Sequence, residues 1–148
     1  RAVEPVKWDL FAARVRPLNE PAAVRLWEAL FAGVGRPFHP ELAHGWMGRI
    51  FRRVRDTYSD TGPVRTTLEG LVDELGWDSA APTYTVFSAT AAYETTWADW
   101  LDFYRRGWWP LDNAVVCAES SPRVAVFWEG FGPYYAKRGH RTLNVRPG

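Results

Sequence analysis

An α+β fold is predicted for this chain, with N-terminal helices packed on a mainly antiparallel sheet of about four strands. Apolar residues recur at three- and four-residue intervals through the first half, the period of a helix with one buried face. Past Trp77-Asp78-Ser79 the segments become short, β-branched and aromatic, with turn residues between them, as in an antiparallel sheet. At 148 residues and 47% hydrophobic the chain can bury one core. No linker-like stretch divides it, so residues 1–148 are expected to form a single domain.

The first predicted helix runs from about Asn19 to Ala32, with Val24, Trp27, Leu30 and Phe31 on one face, Pro21 near its start and Gly33 beyond its end. Pro40 opens a second, whose stripe is Leu42, Ala43, Trp46, Met47, Ile50, Phe51, Val54 and Tyr58. A third spans Pro63 to Leu75, with Gly76 as its stop. Thr83 to Ser88 has the composition of a strand. Thr96-Trp97-Ala98-Asp99 resembles a capping box and begins a helix on which Trp97, Trp100, Leu101, Tyr104 and Trp108 share a face, with Asp102 and Arg106 paired outside. Pro110 ends it, because the residue before a proline avoids helical geometry. Asn113–Glu119, Arg123–Glu129 and Tyr134–Arg138 then read as a meander, covered by the helices on one side. An internal echo, Trp8-Asp9-Leu10-Phe11-Ala12 and Trp27-Glu28-Ala29-Leu30-Phe31-Ala32, is two similar amphipathic pieces; a solenoid needs at least about three repeats.

Charge and composition narrow the function. Eighteen basic against seventeen acidic residues leave a net charge of +1. No apolar run approaches the roughly 18 residues of a membrane span, and no membrane partner is expected. A single cysteine excludes an internal disulfide and a four-thiolate zinc site, and suits a reducing cytoplasm. All but Lys7 and Lys137 of the basic residues are arginine, a bias that suggests a GC-rich, bacterial genome. Nine tryptophans stand out, since indole both fills cores and stacks against partners.

Reactive patterns are sparse. Cys117 and Arg123 have the C-x5-R spacing of cysteine-dependent phosphatases, but the intervening residues hold no glycine, Pro122 removes an N–H, and Glu119 opposes a phosphate. His39, Glu41 and His44 use zinc-ligand chemistry at the wrong spacing for a metalloprotease helix, with Pro40 between the histidines. No metal or cofactor is expected. Basic side chains at Arg49, Arg52 and Arg53, then Lys137, Arg138 and Arg141, could instead track phosphates of a single-stranded nucleic acid.

The favoured expectation is a non-catalytic interaction domain with another protein as partner, in an inhibitor, immunity or regulatory role. Its expected contacts are Trp108 and Trp109, and Phe131, Tyr134 and Tyr135 at a glycine- and proline-shaped hairpin tip. The alternatives are the nucleic-acid binder and a hydrolase built on Cys117 or the histidines.

Overall fold

A computed structural model describes residues 3–31, 36, 38–40, 49, 64–119, 121–128 and 131–137. Along these run helix α1 (Val3–Arg14), strand β1 (Arg16–Pro17), helix α2 (Glu20–Phe31), strand β2 (Val64–Arg65) and helix α3 (Leu68–Leu75). Strands β3 (Pro82–Val86) and β4 (Ala92–Thr96) lead into helix α4 (Trp97–Arg105), followed by β5 (Asn113–Ala118), β6 (Arg123–Trp128) and β7 (Phe131–Lys137).

Local chemistry sets the helix boundaries. Asn19 accepts the Ala22 N–H on its side-chain oxygen at 2.9 Å and so opens α2. Thr67 caps α3 through the Gly70 N–H at 3.1 Å, and Gly76, left-handed at φ 59°, closes it. Thr96 caps α4 by accepting the Asp99 N–H at 3.2 Å, as its sequence signature predicts. The predicted start of the third helix at Pro63 is corrected to Leu68. Val64 and Arg65 pair with Tyr135 and Tyr134 of β7, and their backbone is extended. The predicted stripe from Leu42 to Tyr58 lies outside the described residues, of which Pro40 and Arg49 are helical.

All seven strands form one antiparallel sheet in the order β1-β4-β3-β5-β6-β7-β2. The α+β class stands, and the meander is β5-β6-β7. The expected count of about four strands is too low. Both borders are two-residue strands too short to carry a pattern. β4 contains Glu94, which reads as solvent-facing but is only 8% exposed. Its carboxylate lies across the ladder from Arg16, with Arg16 Nη2 at 3.3 Å from Oε1.

Helices cover both faces of this sheet, which corrects the expected one-sided cover. Val115, Cys117, Val124 and Val126 pack with Leu26, Trp27 and Phe31 of α2. Val116, Ala125 and Phe127 point the other way, against Leu71 of α3 and Trp97, Trp100 and Phe103 of α4. Ala114 to Ala118 are therefore buried at every position, and the apolar run is unbroken because neither face meets water.

On the α4 face Trp100 is fully buried, and its Nε1 donates to Thr85 Oγ1 of β3 at 3.0 Å. Thr85→Val keeps the side-chain shape and leaves the indole N–H without that acceptor. The expected loss is about 1–3 kcal/mol of unfolding free energy, measured by denaturant titration.

Candidate functional site

The end of α4 determines where the next aromatic residues go. Gly107, at φ 72°, takes the left-handed conformation that ends a helix. Its N–H donates to the Tyr104 carbonyl and the Trp108 N–H to the Phe103 carbonyl, both at 2.9 Å. This is the paired arrangement of a Schellman cap, including its apolar contact, for the Trp108 ring stacks on Phe103 with centroids 5.4 Å apart. The next residue turns inward. Trp109 is 8% exposed, and its Nε1 donates to the Trp100 carbonyl at 3.1 Å.

A cleft of about 480 Å³ opens beside this turn. One wall is α1 and the chain that follows it to the end of β1, through Trp8, Phe11, Val15 and Pro17. Phe87 and Tyr93, in edge contact at 5.9 Å, belong to the β3–β4 hairpin side. Trp108, Trp109 and Pro110 make the far wall. Phe11 joins the walls, its ring 5.2 Å from Phe103 and 5.0 Å from Trp109. Trp8 sits edge-on to Phe11 at 6.2 Å and is 58% exposed. None of the described residues lining the cleft is charged. The Thr90 hydroxyl donates to the Phe38 carbonyl, which brings the segment carrying Pro40, another lining residue, to the hairpin.

Among the described residues charge lies around the cleft and not in its lining. Asp102 of α4 lies 3.5 Å from Arg14 Nη1 through one oxygen and 3.1 Å from Arg106 Nε through the other. The Arg106 guanidinium lies 5.0 Å from the centroid of the Trp108 ring, within cation–π range.

The residues expected to bind a partner separate in the fold. Trp108 lines the cleft and is half-buried. Trp109 is corrected from an available surface ring to a core ring whose edge reaches the cleft wall. Tyr134 and Tyr135 do not project from a hairpin tip. They lie within β7, opposite Val126 and Ala125, half-buried against the cores on opposite faces. Phe131 opens β7 opposite Trp128. Of the basic set, Arg49 is exposed and Lys137 ends β7 opposite Arg123, whereas Arg52, Arg53, Arg138 and Arg141 lie outside the described residues.

Among the described residues the reactive candidates do not converge. Cys117 is buried on the α2 face between Tyr84 of β3 and Val124 of β6 in the ladder. Arg123 reaches α3, where it donates to the Glu74 carbonyl. Between them Ser121 Oγ accepts the Arg123 N–H at 3.1 Å where β5 turns into β6. His39 is exposed, and Glu41 and His44 lie outside the described residues. Among the described residues no three metal-binding side chains cluster.

Trp8, Phe11, Phe87 and Tyr93 are the cleft residues that sequence reasoning missed as a site. The three-residue spacing of Trp8 and Phe11 was the available signal; nothing local joins them to a hairpin some eighty positions away. Comparison with models of protein families, with curated proteins and with solved structures finds no match.

A Cβ at Gly107 would meet nothing within 4 Å, so Gly107→Ala tests the turn's conformation alone. The expected cost is about 1–2 kcal/mol, read as a lowered midpoint in thermal or denaturant unfolding.

Proposed function

We propose that this chain is a non-catalytic binding domain that takes an apolar side chain of a protein partner into the aromatic cleft. The observation that carries the reading is a cleft of about 480 Å³ with no charged residue among its described lining residues and Trp8 58% exposed on its wall. That volume lies within the range of sites that enclose ligands, roughly 300–1,000 Å³. An ionised group entering it would lose hydration without meeting an opposite charge among the described lining residues, so an uncharged occupant is favoured. Tryptophans in such a place are the residues that most often dominate binding energy.

An inhibitory, immunity or regulatory role in the cytoplasm belongs to the same proposal, as a small domain acting through contact. No helix among the described residues is long and apolar enough to cross a membrane.

A neutral fluorescent probe, N-phenyl-1-naphthylamine, tests the cleft directly. Saturable binding is expected, weakened about fivefold or more by Trp8→Ala and by Trp108→Ala while circular dichroism stays unchanged. Capture from expressing cells, with nuclease treatment as a second arm, then identifies the partner class. A protein retained by the parent chain and lost from Trp8→Ala supports the reading. Absence of saturable probe binding, or a bound species released by nuclease, overturns it.

A further inference from the structure

Resting on the cleft reading above, we infer that Asp102 is a positioning residue that ties the two walls together and so tunes how well the cleft holds its occupant. Its carboxylate lies outside the cleft and serves both sides. One oxygen, Oδ2, is 3.5 Å from Nη1 of Arg14, at the end of the helix that supplies Trp8 and Phe11. The other, Oδ1, is 3.1 Å from Nε of Arg106, whose guanidinium lies 5.0 Å from the centroid of the Trp108 ring on the far wall.

Further contacts hold α1 at the same end. Arg14 Nη1 is also 3.5 Å from Asp99 Oδ1, its Cζ is 5.8 Å from the Phe103 ring centroid, and Thr95 Oγ1 donates to its carbonyl at 2.8 Å. Asp99 reaches only the α1 side among the described ion pairs, whereas Asp102 reaches both. Among the described ion pairs the wall-to-wall tie is therefore specific to Asp102. The side chains involved are 39% to 50% exposed, so dissolved salt reaches the pairs and weakens them.

This predicts an unusual signature, a neutral ligand whose affinity depends on ionic strength through charges it never touches. N-phenyl-1-naphthylamine affinity is measured between 0.01 M and 0.15 M NaCl, over which the screening length falls from about 30 Å to about 8 Å. In the parent chain binding is expected to weaken about two- to fivefold, the size that exposed ion pairs support. Asp102→Asn, similar in shape and uncharged, should start at the weakened level and show no salt dependence, with faster hydrogen exchange in α1. Arg106→Gln, which removes only the far-wall arm from an exposed side chain, should lose part of the salt response with the fold intact. Parent-like affinity and salt dependence in both variants would overturn the tie and leave the cleft reading standing. A parent chain that binds no probe overturns the cleft reading, and unchanged α1 exchange in Asp102→Asn then removes the tie as well.

Discussion

Trp100 has no solvent contact, and every polar and apolar part of it is used. Its indole N–H reaches Thr85 on the sheet, its carbonyl accepts the Trp109 indole N–H, and its ring stacks with Trp97 and Tyr104 at 5.2 Å and with Trp109 at 6.0 Å. A large apolar body gains most from complete burial, but the donor on its edge makes that burial costly unless an acceptor waits in one particular place. Thr85 supplies it and thereby sets α4 on the sheet. The far wall of the cleft follows, because Trp109 is held by the same residue and Trp108 and Pro110 flank it in the chain.

Where a segment's structure arises from its own residues, the sequence was readable. The stripe of α2, the Thr96 cap of α4, and the apolar runs of β5 and β6 each carry their signal within a few positions. Elements created by distant partners were not readable. Val64 and Arg65 are extended because β7 pairs with them, and Glu94 belongs in a strand because Arg16 lies opposite. The site shows the same division. Trp108-Trp109-Pro110 was visible as an aromatic cluster, but which ring turns inward depends on the left-handed Gly107 and on the Trp100 carbonyl. The wall carrying Trp8 and Phe11 joins that cluster only in three dimensions.

The arginine bias takes on a structural meaning as well. Arg14, Arg16, Arg106 and Arg123 each bond a carboxylate or carbonyl on another element or one helical turn away. A planar fork with several donors on a long apolar stem suits that work, since its methylene groups cover apolar surface while its end spans between elements. From sequence alone only the pairing of Arg106 with Asp102, four positions apart, is readable. For the rest the difference lies in the acidic or carbonyl partner, which distant parts of the chain supply, as at Glu94 and Glu74.

The two-residue border strands affect behaviour in crowded solution. An incoming extended chain needs a row of main-chain donors and acceptors to add itself to a sheet, and β1 presents only a pair of residues, of which Pro17 has no N–H to give. At the opposite border β2 is equally brief and places the charged Arg65 there. A domain whose central strand is apolar from Ala114 to Ala118 thus keeps that run interior and limits the templates for runaway stacking into fibrils.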